Sequence, residues 1–226
     1  MKYRLKKVAV LGSGVMGSGI ACHLANIGME VLMLDIIPPN LEGDQLKNQN
    51  LRNSIVNSAL QNALKSKPAS LYKKSFASRI SIGNFDDDFE KIATADWIIE
   101  VVVERLDIKH QVLQKVDSFR KPNSLVTSNT SSIPIHLLAE KCSEDFKAHF
   151  CGTHFFNPPR YLRLLEVIPT PDTQPDVTEF FMEFGKTGLG KQTVLCKDTP
   201  AFIGNRIGVM SGTEMTLLTE DRKSVV

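Results

Sequence analysis

The opening stretch KVAVLGSGVMGSGIACHL constrains the fold of this 226-residue chain more than any other part of its sequence. Residues 7–11 form a short apolar run that stops at glycines. Residues 15–27 then place apolar side chains at helical spacing, and residues 30–34 form a second apolar run. A strand, a glycine turn, a helix and a second strand in this order predict a βαβ unit, and therefore a parallel sheet.

The turn between the first strand and the helix fits the motif G-x-G-x-x-G, with Gly12, Gly14 and Gly17 at its fixed positions. In such a turn the first glycine permits the tight bend, the second lets a pyrophosphate approach the backbone, and the third lets the helix pack on the sheet. The helix N-terminus adds free N–H groups and the positive end of a dipole. Val15 and Met16 complete the motif, so all five residues are predicted to bind a dinucleotide.

An acidic residue after the second strand indicates which dinucleotide binds. Asp35 is placed to accept hydrogen bonds from the adenosine ribose, and its negative charge would repel a 2′-phosphate. The next residues, Ile36 and Ile37, offer no arginine for such a phosphate. The sequence therefore favours NAD over NADP. The alternative, that Asp35 only caps a loop, is weakened by the three glycines that precede it.

Strand and helix patterns alternate along the rest of the chain. Helical spacing occurs in three segments, and five further runs are typical of strands: residues 51–63, 108–119 and 176–186 for the helices, and 97–103, 125–128, 150–155, 164–168 and 192–195 for the strands. This alternation predicts an α/β fold with a doubly wound, mostly parallel Rossmann-type sheet. We assign residues 1–198 to this NAD-binding domain.

Charge and cysteine usage bear on partners and location. The formal net charge of +2 argues against a nucleic-acid partner bound on a basic face. No apolar run has the length needed to span a bilayer. Four cysteines are scattered with no Cys-x-x-Cys pair, and the five histidines do not cluster, so the sequence predicts no metal site. The cysteine pattern predicts reduced thiols and a cytoplasmic location.

Several polar residues are predicted to lie where strands end. Ligands of open α/β sheets bind beyond the carboxyl ends of the strands. Glu104 follows the apolar run WIIEVVV, Ser131 lies in the segment SNTSS after the next strand, and His154 is near the end of a third. Glu100 interrupts the apolar run, and the pattern offers only a helix end or solvent as its surroundings.

His154 could be a packed histidine, which is the commoner case, or a group that moves a proton. The segment Asn157-Pro158-Pro159 predicts a turn, which could bring residues 164–168 back beside the strand of His154. Glu166 would then approach the histidine, and a carboxylate on one imidazole nitrogen fixes the tautomer and stabilises the imidazolium. Glu166 lies in an apolar run and needs a partner there. Spacing alone leaves open whether that partner is His154.

Four segments together resemble a known family: GSGVMGSGIA, SNTSS, THFFNPP with LLEVI, and KDTPAFIGNRI. They are similar, in this order, to the NAD-binding domain of L-3-hydroxyacyl-CoA dehydrogenase, and most of all to that domain in bacterial multifunctional fatty-acid oxidation proteins. The resemblance implies NAD-dependent oxidation of L-3-hydroxyacyl-CoA to 3-ketoacyl-CoA in fatty-acid β-oxidation. Two alternatives stay open: a dehydrogenase of another 3-hydroxy acid, and an NAD-binding fragment without catalysis.

The resemblance also implies catalytic roles for matching residues. His154 would be the general base that takes the proton from the 3-hydroxyl group, and the acid that returns it in the reverse reaction. Glu166 would hold His154 in orientation. Ser131 and Asn157 would hydrogen-bond the substrate and the histidine.

Cofactor and partner contacts follow from the same resemblance. Glu104, Lys109 and Ser131 would line the NAD site, and Lys74 would contact the CoA of an acyl-CoA substrate. The full-length protein would be a homo-oligomer or part of a multienzyme chain.

The end of the sequence carries a further expectation. The segment KDTPAFIGNRIG resembles the start of the family's second, all-helical domain, so residues 199–226 would hold the first helix of a truncated domain. The last residues, EDRKSVV, lack a helical pattern and can be back-translated into a string that contains a common sequencing-adapter sequence. We therefore expect residues 221–226 to be a non-native tail.

Overall fold

Eight strands form a single sheet in the computed structural model, which describes residues 3–220. The strands are β1 (Lys7–Leu11), β2 (Glu30–Asp35), β3 (Ile80–Asn84), β4 (Trp97–Glu100), β5 (Leu125–Ser128), β6 (Phe150–Phe155), β7 (Leu164–Pro169) and β8 (Gln192–Leu195). Their order is β3-β2-β1-β4-β5-β6-β7-β8, and every neighbouring pair is parallel except β6 with β7. The predicted Rossmann-type sheet is confirmed.

Helices cover both faces of this sheet. Those described are α1 (Val15–Asn26), α2 (Gln49–Arg52), α3 (Ser54–Lys65), α4 (Leu106–Phe119), α5 (Ile135–Ala139), α6 (Glu144–Ala148), α7 (Pro175–Thr187) and α8 (Gly204–Glu220), with short 3₁₀ helices at Gly43–Lys47, Lys74–Arg79 and Phe89–Thr94. Helices α1, α3 and α7 pack into one hydrophobic cluster, and α4, α5 and α6 pack into another.

The first strand shows why the sheet must be covered on both sides. Val8 and Val10 belong to the first cluster, whereas Ala9 and Leu11 belong to the second. Successive side chains of a strand point to opposite faces, so a continuous apolar run requires helices on both. The apolar run at residues 7–11 therefore places β1 in the interior of the sheet, between β2 and β4.

Two strand predictions differ from the structure. The edge strand β3 was not predicted, because its sequence ISIGN is short and includes a glycine and an asparagine, which are depleted in strands. The strand predicted over residues 97–103 ends at Glu100. Beyond it the Val102 N–H bonds the Glu100 side chain, at 2.7 Å, instead of a neighbouring strand.

The predicted return of residues 164–168 beside β6 is confirmed. Strand β7 runs antiparallel to β6, with His154 directly opposite Glu166. Directly opposed residues of an antiparallel pair project their side chains to the same face. The pairing thus brings the two side chains together near the carboxyl ends of the parallel strands.

Three further expectations concern what the chain lacks or how it ends. Within residues 3–220, no helix is long and apolar enough to cross a membrane. The same residues contain no group of three or more side chains that could hold a metal ion. The tail expected at residues 221–226 lies outside the described residues.

Candidate active site

The glycine turn between β1 and α1 forms one end of the candidate site. Gly12 has a φ of +102°, and a Cβ atom there would lie 2.5 Å from the Val101 carbonyl oxygen. A Cβ on Gly17 would overlap the Gly12 carbonyl oxygen, whereas a Cβ on Gly14 would meet nothing within 4 Å. The first and third glycines are therefore required by the fold, and the second faces open space that a ligand can occupy. This arrangement fits a dinucleotide pyrophosphate.

Asp35 lies at the end of β2 beside this turn. Its Oδ2 atom accepts hydrogen bonds from the Ser13 N–H and hydroxyl groups, at 2.7 and 2.5 Å, and its Oδ1 atom accepts one from the Ile36 N–H at 2.7 Å. These bonds fix the carboxylate at the mouth of the turn. Because each carboxylate oxygen can accept more than one bond, capacity remains for the ribose hydroxyls predicted to bind here.

Two adjoining cavities follow from the turn. One, of about 810 Å³, extends from the glycine turn and Asp35 to Glu104, Lys109 and Ser131. The second, of about 620 Å³, continues from Asp35 toward Pro38 and helix α3. The larger cavity thus joins the dinucleotide motif to the polar residues at the ends of β4 and β5.

His154 and Glu166 form a buried hydrogen-bonded pair at the far end. His154 Nδ1 lies 2.7 Å from Glu166 Oε2, and its Nε2 lies 3.1 Å from Ser131 Oγ. The histidine is 4% exposed and the glutamate 0%. Ser131 also lines the larger cavity, so the imidazole stands between a buried carboxylate and a hydroxyl at the cavity wall.

The second oxygen of Glu166 holds the start of α8. Glu166 Oε1 accepts hydrogen bonds from the Ile203 and Gly204 N–H groups, at 3.1 and 2.7 Å. Burial alone would raise the pKa of this carboxyl, but the hydrogen bonds from His154, Gly204 and Ile203, with the charge of the imidazolium, outweigh burial and lower its pKa. Glu166 is therefore ionised at neutral pH and accepts a hydrogen bond from the Nδ1–H group of His154.

Two aromatic rings and an amide near the histidine were not predicted as site residues. The Phe156 and Phe202 ring centroids lie 4.5 and 5.7 Å from that of His154. Asn205 Nδ2 donates to the Ser131 carbonyl at 3.3 Å. The segment KDTPAFIGNRI contains two of these three residues, and its resemblance to the family was the sequence signal that could have identified them. Its side chains shield the imidazole from water and hold the Ser131 backbone.

Glu104 anchors the loop that carries Ser131. Its Oε1 atom accepts bonds from Thr130 Oγ1 at 2.5 Å and from the Ser131 and Ser132 N–H groups at 3.0 Å each. Partial burial would raise the pKa of Glu104, but the bonds from this loop and the charge of Lys109 outweigh burial and lower the pKa to about 2. Glu104 is thus a permanent anion at the cavity wall.

Of the two surroundings that its sequence context suggested, Glu100 has the helix end and not solvent, since it contacts the first turn of α4. It is 0% exposed, and its Oε1 atom lies 2.8 Å from Lys109 Nζ. Lys109 is itself 1% exposed and also lies 3.2 Å from Glu104 Oε2. The sequence missed this contact because nothing in the spacing relates the end of β4 to the first turn of α4.

Two predicted site residues lie apart from this arrangement. Asn157 is exposed, and its side chain makes no hydrogen bond to the residues that the structure describes. Lys74 is exposed at the start of a 3₁₀ helix and lines neither cavity. The expected hydrogen bonds of Asn157 to the substrate and the histidine stay a prediction.

Sequence comparison places the chain among known proteins. A family model described as 3-hydroxyacyl-CoA dehydrogenase, NAD binding domain, matches residues 7–199. A probable 3-hydroxyacyl-CoA dehydrogenase from Bacillus subtilis is 52% identical over 92% of this chain and 27% of its own length. A candidate fatty acid oxidation complex trifunctional enzyme from Rickettsia felis is 43% identical over 92% of this chain and 28% of its own length. The chain spans about a quarter of the length of these relatives.

Structure comparison agrees with the sequence comparison. A crystal structure of 3-hydroxybutyryl-CoA dehydrogenase from Escherichia coli superposes with a TM-score of 0.74 and 30% sequence identity. The match covers 97% of this chain and 44% of that one. The fold of this chain is therefore similar to that of a solved dehydrogenase over nearly all of its length.

Proposed function

The chain belongs to the 3-hydroxyacyl-CoA dehydrogenase family, in the NAD-binding domain of that family, and on this premise we propose that it oxidises an L-3-hydroxyacyl-CoA to a 3-ketoacyl-CoA. His154 is the general base of this reaction, and Glu166 orients it. The observation that carries the proposal is the hydrogen-bonded series Glu166–His154–Ser131 at the end of the 810 Å³ cavity.

The tautomer of His154 suits a base. Ionised Glu166 accepts a hydrogen bond from the Nδ1–H group of His154, which leaves the Nε2 lone pair free to accept a hydrogen bond from the Ser131 hydroxyl at 3.1 Å. A substrate hydroxyl that reaches Nε2 gives its proton to the same lone pair. The imidazolium that forms is stabilised by the Glu166 carboxylate.

Bound NAD supplies the acceptor for the hydride that leaves C3 of the substrate. The glycine turn and Asp35 would hold its adenosine and pyrophosphate half. Glu104, Lys109 and Ser131 line the opposite end of the cavity, beside His154. His154 takes the proton of the C3 hydroxyl group, and in the reverse direction it returns that proton.

The substrate, partner and location assignments are supported by the names of relatives and by the cysteines. The names of the two sequence relatives favour an acyl-CoA substrate and a place in a multienzyme fatty-acid oxidation chain. Roles in substrate binding for Asn157 and Lys74 stay predictions, since both side chains are exposed. The four cysteines are buried and free, which supports a reducing, cytoplasmic setting.

Oxidation of NADH, followed by its absorbance, tests the proposed reaction in the protein at its full length. We expect turnover with acetoacetyl-CoA and none with free acetoacetate. Equal turnover with free acetoacetate would support a dehydrogenase of CoA-free acids instead. Tight NADH binding without turnover of either compound would contradict catalysis by this chain.

A further inference from the structure

A buried carboxylate under the cavity wall has no role in the reaction described above. Glu100 is the last residue of β4, and three groups contact its side chain. Lys109 Nζ and the Val102 N–H donate to Oε1 at 2.8 and 2.7 Å, and Ser128 Oγ donates to Oε2 at 2.5 Å. The carboxylate therefore ties together the ends of two neighbouring strands and the first turns of α4.

The groups around Glu100 suit a carboxylate. An ammonium and a backbone N–H group can only donate. The Ser128 oxygen accepts a bond from the Thr130 N–H at 3.1 Å, so the hydroxyl proton is free to point at Glu100. The Oε1 atom of Glu100 thus faces two groups that can only donate, and its Oε2 atom faces a hydroxyl that is free to donate.

Glu100, Lys109 and Glu104 form one cluster of charges. Lys109 lies between the two carboxylates, 2.8 Å from Glu100 and 3.2 Å from Glu104. Two carboxylates and one ammonium leave a net charge of −1. Glu100 is fully buried, and its contact fixes the ammonium of Lys109 at the cavity wall, so it can act on the cavity as well as on the fold.

The cluster adjoins the end of the cavity nearest to His154. Glu104 and Lys109 line that end together with Ser131, which bonds His154. The other lining groups around them include the apolar residues Val101, Val103, Ile108 and Val112. These apolar walls screen the field of the cluster less than bulk water does.

A nicotinamide ring carries a positive charge when oxidised and none when reduced. We propose that Glu100 is a positioning residue that holds Lys109 and Glu104 in a cluster of net charge −1, and that this charge makes the site bind NAD⁺ in preference to NADH. The inference rests on the proposed placement of the nicotinamide beside Ser131. Its test reads cofactor binding alone, so it can fail while the proposed catalytic role of His154 stands.

Glu100→Gln keeps the shape of the side chain and removes its charge. We expect the ratio of the NADH dissociation constant to the NAD⁺ dissociation constant to fall by about three- to tenfold, the effect of one unit charge acting across several ångströms of protein. Glu100→Asp keeps the charge and shortens the reach, so it should weaken both cofactors and preserve the ratio. A purely structural role predicts equal losses for both cofactors in both variants.

Asp96→Asn is the matched control. Asp96 immediately precedes β4, at the amino-terminal end of this strand, whereas Glu100 lies at its carboxyl end. Asp96 accepts bonds from the Lys6 and Lys7 N–H groups and from Lys121. The substitution removes the same charge beside the same strand and should leave the ratio unchanged. A change equal to that of Glu100→Gln would overturn the proposal, because the effect would then come from overall charge.

Glu104→Gln provides a second route if Glu100→Gln does not fold. It removes one negative charge from the solvent-facing end of the same cluster and should lower the ratio in the same direction. Titration of each cofactor on the full chain by calorimetry measures both constants, and thermal melting identifies variants that do not fold. A ratio that stays at the unmodified value in every folded variant of Glu100 and Glu104 overturns the proposal.

Discussion

The two oxygens of Glu166 serve different partners, which gives a residue-level prediction. In Glu166→Gln the side-chain carbonyl can keep the bonds from Ile203 and Gly204, and the new NH₂ group then faces His154. His154 must accept at Nδ1 in that arrangement, so its proton moves to Nε2 and the base is lost. We expect turnover to fall by about 10²–10⁴-fold. The NAD dissociation constant should stay nearly unchanged, and full activity would contradict the pairing.

Asp35 sets the preference between the two nicotinamide dinucleotides. Asp35→Ala removes the charge that repels a 2′-phosphate and the acceptors for the ribose hydroxyls. Because bonds to charged groups contribute about 1.5–3 kcal/mol, NAD binding should weaken by about ten- to a hundredfold. The preference for NAD over NADP should narrow, as titration of both cofactors will measure. Unmodified protein that binds NADP as tightly as NAD would refute the role of Asp35.

Single residues also show where sequence reasoning succeeds and fails. The return of the Glu166 segment beside the strand of His154 was predictable from a proline turn and a strand pattern, whereas spacing alone left the partner of Glu166 open. The surroundings of Glu100 were not predictable. Its contact with Lys109 depends on how α4 packs over the end of β4, and this three-dimensional placement leaves no periodic trace in the sequence.

Among the elements, the β1–α1 turn allows two glycines to be compared. Gly14→Ala should fold normally, because its φ of −54° suits alanine and nothing lies within 4 Å of the new Cβ. NAD affinity should still fall by about tenfold or more, since the methyl group occupies the space left for the pyrophosphate. Gly17→Ala should instead destabilise the fold by about 1–3 kcal/mol, because its Cβ overlaps the Gly12 carbonyl oxygen.

Thermal melting and NADH titration of these two variants separate the roles. Loss of stability in Gly14→Ala, or unchanged stability in Gly17→Ala, would contradict the account of the turn. The unit β1–α1–β2 was predicted in full because glycine spacing and apolar runs are both local signals. Strand β3 was not, since edge strands carry weaker patterns and are defined by their pairing with β2.

For the whole molecule, His23 predicts how stability depends on pH. His23 lies in α1 under the first hydrophobic cluster and is 5% exposed. Burial, with the nearby positive charge of Lys191, lowers its pKa from 6.5 to about 4. Between pH 6.5 and 4, His23 is therefore protonated in the unfolded chain but not in the folded chain. The full contribution of His23 to the free energy of unfolding is present above pH 6.5, and it is lost as pH falls through this range.

Protonation of this one site lowers the free energy of unfolding by about 3 kcal/mol, because each unit of pKa difference corresponds to about 1.36 kcal/mol. Chemical denaturation between pH 7 and 4 measures it, and His23→Gln should flatten the curve over that range. Glu104 and Glu166, whose pKa values are lowered, add losses in the same direction at lower pH. A stability curve of His23→Gln that remains as steep as that of the unmodified chain would contradict this assignment.

The most direct test of the account concerns His154 as the base. In the protein at its full length, turnover of acetoacetyl-CoA with NADH is compared between His154→Gln and His149→Gln. Both histidines are 4% exposed, but His149 precedes β6 at its amino-terminal end, whereas His154 lies near its carboxyl end. We predict that His154→Gln loses about 10²–10⁴-fold in turnover while binding NADH normally, and that His149→Gln stays near the unmodified rate. Unreduced turnover in a folded His154→Gln variant would contradict the central claim.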